Sequence, residues 1–148
     1  MSNKRKGARV FDGIIAYLDS IKARDPAPRS RWEILLYPGV WALAYHRVAH
    51  WLFVGELYFL ARLVNHWSRW LTAIDIHPGA VLGASFAIDH GTGVVIGETS
   101  VIGDRVRLYQ GVTLGAHAVS KKLAHQKRHP TLGNDVVVYA NATILGGT

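Results

Sequence analysis

The chain has 148 residues, 49% hydrophobic and 18% charged, a balance that excludes a disordered polypeptide and fits one ordinary domain or two small ones. It has no cysteine, which excludes a disulfide framework and thiolate metal sites and makes a reducing compartment, the cytoplasm, the expected location. The formal net charge is +7, and 8 of the 17 Lys and Arg residues form two clusters, Lys4, Arg5, Lys6 and Arg9, then Lys121, Lys122, Lys127 and Arg128, which fit either solvated segments or contacts to an anion.

The basic start MSNKRKGARV is not followed by the apolar core and small-residue cleavage site of a signal peptide, so none is expected. Val10, Ile14, Leu18 and Ile21 recur at spacings of four, four and three, one face of an amphipathic helix ending near the Asp25-Pro26 break. Ser30 with Glu33 three residues on predicts a capping box ahead of the next apolar segment. Pro38-Gly39 and Gly55 then delimit helices predicted over about 40–53 and 56–71. Both are apolar nearly all round, so burial against partners, most simply other copies of the chain, is expected. The stretch 40–60 carries His46, Arg47, His50 and Glu56 and is too polar to be expected to span a membrane. His46 and His50 stand four apart and mimic a zinc pair, but no third ligand is evident and structural roles are expected.

From residue 74 the period changes. Ile76, Leu82 and Ile88 are six apart; so are Ile96, Ile102, Leu108 and Leu114, and finally Leu132, Val138 and Ile144. A period of six is foreign to helices and marks a hexapeptide repeat. It predicts a left-handed parallel β-helix in which three hexads make one coil, the aliphatics stack inward, and coils rise by about 4.8 Å. Glycine follows Leu82, Ile96, Ile102, Leu114 and Leu132, as corners with tight or left-handed backbone would require. The fold class is therefore α+β, with a helical oligomerisation domain over 1–72 and the β-helix over 73–148.

Two irregularities interrupt the repeat. Ile88 and Ile96 are eight apart, so two extra residues enter the hexad that carries Asp89 and His90. Leu114 and Leu132 are eighteen apart, but Ser120 and Gln126 stand where aliphatics should, so 115–131 is read as a loop leaving the solenoid. The segment GTGVVIG only superficially imitates a dinucleotide fingerprint, because its glycine spacing is wrong and no helix follows.

In this setting the chain resembles the serine O-acetyltransferase family. The matching stretches are RDPA at 24–27, LAYHRVAHWL at 43–52, DIHPGA at 75–80, IDHGTGVVIGET at 88–99, YQGVTLG at 109–115 and KRHPTLG at 127–133. The resemblance implies direct acetyl transfer from acetyl-CoA to the hydroxyl of L-serine, the committed step toward cysteine, with no metal required. It implies His90 as general base, supported by Asp75 as a dyad, because a serine hydroxyl is a poor nucleophile until a base with pKa near the working pH takes its proton. Asp25 and Asp89 match positions associated with the amino-acid substrate, and Arg128 and His129 match the pair that meets its carboxylate, a task suited to the planar guanidinium fork. Gly115, Ala116 and Ala140 match positions near CoA.

The resemblance further implies a homotrimer with the site shared between solenoids, trimers joined in pairs by their helical halves, and neither nucleic acid nor membrane as partner. There are departures. GAHAVSKK at 115–122 replaces a GGTGK-type loop, and YANA at 139–142 replaces a more glycine-rich corner. Family members continue beyond the position of Thr148 with further coils and a tail that grips cysteine synthase, so cysteine synthase binding is not expected of this chain. A sugar or other hydroxyl acceptor, or a catalytically impaired assembly protein, are the alternatives that the sequence leaves open.

Overall fold

The computed structural model describes residues 2–117 and 126–147, with side chains from Asp12 onward. The chain divides into two compact units, Met1–Leu36 and Tyr37–Thr148.

The first unit holds α1 (Ser2–Arg24) and α2 (Arg31–Ile34). Leu18 and Ile21 are buried, on the face that the spacing of four and three predicts, but Ile14 of the same face is 48% exposed; Ile34 of α2 is also buried. After the last turn of α1, Asp25 N–H donates to the carbonyl of Ile21, and its own Oδ1 accepts from Ala27 N–H at 2.9 Å across Pro26. Ser30 Oγ accepts from Glu33 N–H at 3.4 Å, as the capping motif requires. The Glu33 carboxylate, however, reaches Arg29 N–H at 2.8 Å, one residue upstream of the expected amide.

The second unit begins with α3 (Pro38–Val54) and α4 (Tyr58–Thr72). Ten short strands follow: β1 (Asp75–Ile76), β2 (Val81–Leu82), β3 (Ala87–Ile88), β4 (Val95–Ile96), β5 (Val101–Ile102), β6 (Arg107–Leu108), β7 (Thr113–Gly115), β8 (Thr131–Leu132), β9 (Val137–Val138) and β10 (Thr143–Leu145). All pairings are parallel and generate three sheets, β1-β4-β7-β10, β2-β5-β8 and β3-β6-β9. Every third strand thus stacks on its predecessor, the topology of a triangular solenoid.

Register explains both irregularities. Asp75 pairs with Val95, twenty residues on instead of eighteen, and the surplus of two falls between β3 and β4, where Asp89 and His90 lie. Val95 pairs with Thr113 at the regular eighteen. Val101 then pairs with Thr131, thirty on, so Leu132 stacks on Ile102 in the second sheet and not on Leu114 in the first. The step from Val101 to Thr131 thus holds twelve residues more than a regular coil of eighteen. Of the expected loop 115–131, Gly115 and Thr131 lie in strands, paired with Leu145 and Val101, and 118–125 lie outside the described residues.

The core contains the ten in-phase aliphatics and a second inward row two residues before each of them. Ile74, Ala80, Phe86, Val94, Ser100, Val106 and Val112 are all buried. The glycines after the aliphatics do not supply left-handed backbone, contrary to expectation. That conformation falls two residues later, at Ser85, Arg105 and Asp135, which stack on one corner. Gly83, Gly97, Gly103 and Gly115 are needed for space, since a Cβ on any of them would overlap a neighbouring residue, most often of the next coil.

The helices α3 and α4 belong to the same compact unit as the solenoid, although the change from helix to strand falls between Thr72 and Asp75. First-coil N–H groups point up to second-coil carbonyls, as His77 N–H does to Ile96 O at 2.9 Å. First-coil carbonyls consequently need other donors. His46 Nε2 meets Ala80 O at 3.1 Å, His50 Nδ1 meets Pro78 O at 2.8 Å, and Asn65 Nδ2 donates to Ile76 O at 2.9 Å. These histidines cap a sheet edge, and no group of three metal-ligating side chains occurs among the described residues. Gly39 lets α3 lie directly on the backbone of Ile88.

The two helices are inverted in polarity. The buried stripe of α4 is Ala61, Asn65, Ser68 and Thr72, while Phe59, Leu63, Trp67 and Trp70 are exposed. In α3 the buried stripe is Gly39, Ala42, His46 and Ala49, with Trp41, Val48, Trp51 and Val54 outward. Small inward residues allow close helix approach, and the large apolar surface faces out. No helix among the described residues is long and apolar enough to cross a membrane.

Candidate functional site

His90 sits on the corner joining the third sheet to the first, where the two extra residues enter. Its φ is 61°, a left-handed conformation unusual for a residue with a Cβ, and its side chain is 73% exposed. Buried Gly91 follows, also at positive φ. The insertion therefore turns the imidazole away from the packed corner, as the irregular spacing suggests. Its polar neighbour is Asp89 Oδ1, 3.9 Å from Nε2, too far for a hydrogen bond.

Asp75 points outward from β1. Its Oδ1 accepts from Asn65 Nδ2 at 3.2 Å, and its Oδ2 lies 3.4 Å from Arg69 Nη1. Within one chain this carboxylate is thus held by α4, and among the described residues no hydrogen bond or ion pair joins it to His90. Asp25 belongs to the first compact unit, where it closes the turn into Pro26.

Arg128 and His129 dock on the corner that joins the first sheet to the second. Thr99 Oγ1 accepts from Arg128 N–H at 2.9 Å and from His129 N–H at 3.0 Å. His129 Nδ1 accepts Thr99 N–H at 3.1 Å and lies 2.9 Å from Thr99 Oγ1. The Arg128 guanidinium donates to Glu98 Oε2 at 2.5 Å. Lys127 Nζ donates to Thr99 O at 2.7 Å and also to His129 O. The His129 ring covers Gly97 so closely that a Cβ there would overlap it. Burial holds the pKa of His129 below the ordinary imidazole value; Arg128 and Lys127 act in the same direction and Glu98 opposes them. His77, one coil below, is also lowered, first by burial, and its Nδ1 accepts Gly79 N–H at 3.0 Å.

The anticipated residues thus form two groups on opposite edges of the first sheet: Asp89 and His90 at one, Arg128 and His129 at the other. The positions that the resemblance associates with CoA divide likewise. Gly115 ends β7 and Ala116 follows it, on the side of Arg128; Ala140 is exposed one coil above Gln110, on the side of His90. Tyr139 there stacks on Tyr109 with centroids 5.5 Å apart and planes 9° from parallel. Lys121 and Lys122 lie outside the described residues. Sequence reasoning missed Glu98, Thr99 and Asn65, whose partners are distant in the chain.

Coils of three parallel hexads with one exposed imidazole on an irregular corner define the class of hexapeptide-repeat proteins built on a left-handed β-helix. No family model matches the chain. A serine acetyltransferase of Helicobacter pylori is 52% identical over 130 residues, 87% of this chain and 74% of that protein. One from Synechococcus elongatus is 52% identical over 138 residues, 93% of this chain but 55% of that protein. Among solved structures, Neisseria gonorrhoeae serine acetyltransferase in complex with serine matches with a TM-score of 0.83 at 36% identity, over 95% of this chain and 56% of that one. Soybean serine acetyltransferase complexed with serine gives 0.81 at 40% identity, over 92% and 55%. The chain belongs to the serine acetyltransferase family.

Proposed function

We propose that the chain transfers the acetyl group of acetyl-CoA to the hydroxyl of L-serine, the first step from serine toward cysteine, in the cytoplasm. The observation that carries this reading is the pairing of an exposed imidazole with an anchored Arg-His pair on the two edges of one sheet. His90 takes the hydroxyl proton as the oxygen attacks the thioester carbonyl, and the CoA sulfur leaves. Arg128 and His129 bind the serine carboxylate, and Asp25 and Asp89 serve the amino-acid substrate. Gly115, Ala116 and Ala140 line the acetyl-CoA side; the reaction needs no metal.

The half-sites are complete only between neighbouring copies, so a homotrimer is the functional unit. In it Asp75 of one copy supports His90 of the next, and the outward apolar faces of α3 and α4 join trimers in pairs. The resemblance to structures holding serine supports an amino acid as acceptor.

The test is thiol release from acetyl-CoA with L-serine and with a panel of sugars. Turnover with L-serine, reduced by about a hundredfold or more in His90→Ala, is expected for loss of a general base. Turnover confined to sugars, or an undiminished His90→Ala enzyme, overturns the assignment.

A further inference from the structure

We propose that Thr99 is a positioning residue that fixes the tautomer of His129, so that its Nε2–H is a permanent donor toward the carboxylate of the acceptor. A backbone N–H can only donate, so Thr99 N–H at 3.1 Å makes His129 Nδ1 an acceptor. The ring proton must then sit on Nε2. The Thr99 hydroxyl reinforces the choice: its oxygen already accepts two amides, from Arg128 and His129, which leaves its single proton to go to Nδ1 at 2.9 Å.

One residue therefore does three things at once. It holds the backbone at Arg128 and His129, orients the ring, and sets which nitrogen carries hydrogen. Lys127 bonded to Thr99 O and the Arg128–Glu98 pair secure the same corner from either side. Among the described residues Nε2 has no hydrogen-bond partner, which leaves it for a ligand. An imidazolium at this position would place an Nδ1 proton against the Thr99 amide, so the neutral donor form is favoured. The preferred ligand is an anionic group, such as a carboxylate, which accepts from both Nε2–H and guanidinium.

The identity of the ligand rests on the serine acetyltransferase reading; the tautomer does not. Nitrogen chemical shifts of the His129 ring in the wild-type chain are expected to report a protonated Nε2 and a bare Nδ1, and a protonated Nδ1 overturns the proposal without touching the functional reading. Thr99→Val removes the hydroxyl while keeping the shape. It is expected to raise the KM for L-serine about ten- to a hundredfold, with kcat at saturation changed much less. Thr99→Ser is expected to restore KM and the nitrogen shifts together. An unchanged KM in Thr99→Val, or a fall in kcat alone, overturns the positioning role. If wild-type enzyme turns over no L-serine, the functional reading fails while the nitrogen shifts still decide the tautomer.

Discussion

A methyl group at position 97 would occupy space that the His129 ring now fills. Gly97→Ala is therefore expected to push the ring off its corner and raise the KM for L-serine at least tenfold, measured by thiol release, with the solenoid still folded by circular dichroism. Gly133→Ala is the control, because a Cβ there meets nothing within 4 Å; KM and thermal midpoint are expected to stay unchanged. The contrast shows what a sequence holds at the scale of single residues. Asp89, His90, Arg128 and His129 are legible because they stand in short contiguous motifs. Thr99 closes one of those motifs, yet its role is illegible, since the amides it accepts lie about thirty residues away beyond a loop. The five glycines are visible as a pattern, but four of them, Gly83, Gly97, Gly103 and Gly115, answer to close neighbours and not to φ, while Gly133 has open space, a difference that no spacing discloses.

Among elements, the hexad period was readable because one inward aliphatic recurs in each strand. The second inward row was not, because it mixes Ala80, Phe86, Ser100 and Val106, residues too varied in size and polarity to show a period. The helices taught a related lesson. Apolar composition all round identified surfaces in want of cover, but the inward stripe proved to be small or polar, so hydrophobicity alone points the wrong face inward. His46 belongs to that stripe. Burial, then the nearby His50, lowers its pKa to about 4, and its Nδ1 is buried without a partner. The unfolded chain binds this proton near pH 6.5, so between about 4 and 6.5 it holds more protons than the folded one. Stability therefore rises with pH across that window, is complete above it, and falls by at most roughly 3 kcal/mol below it. Urea unfolding at pH 7.5 and 4.5 measures this. His46→Gln, which keeps a donor for Ala80 O but cannot titrate, is expected to flatten that part of the dependence while lowering stability at pH 7.5 by about 1 kcal/mol.

For the whole molecule, the decisive relation is that His90 and the Arg128–His129 pair flank the same sheet from different corners of the prism. On the proposed function, a substrate held by the second corner of one copy is deprotonated by the first corner of another, three prisms standing side by side. In the proposed trimer, symmetry places three equivalent sites between copies, and the carboxylate of Asp75, held by Asn65 and Arg69 within its own chain, is assigned to the His90 of the neighbour. This arrangement is testable by mixing. His90→Ala and Arg128→Ala homotrimers are each expected to lose most activity, because every site lacks one partner. After the two are denatured together and refolded at equal concentration, random assembly gives roughly a quarter of the sites an intact His90 from one variant and an intact Arg128 from the other. Activity should recover to about a quarter of wild type, and only in the co-refolded sample. Recovery on simple mixing of folded trimers would indicate exchange of subunits. No recovery on co-refolding, with trimers confirmed by light scattering, would mean that base and carboxylate clamp serve one substrate from within a single chain, and the shared site would have to be abandoned.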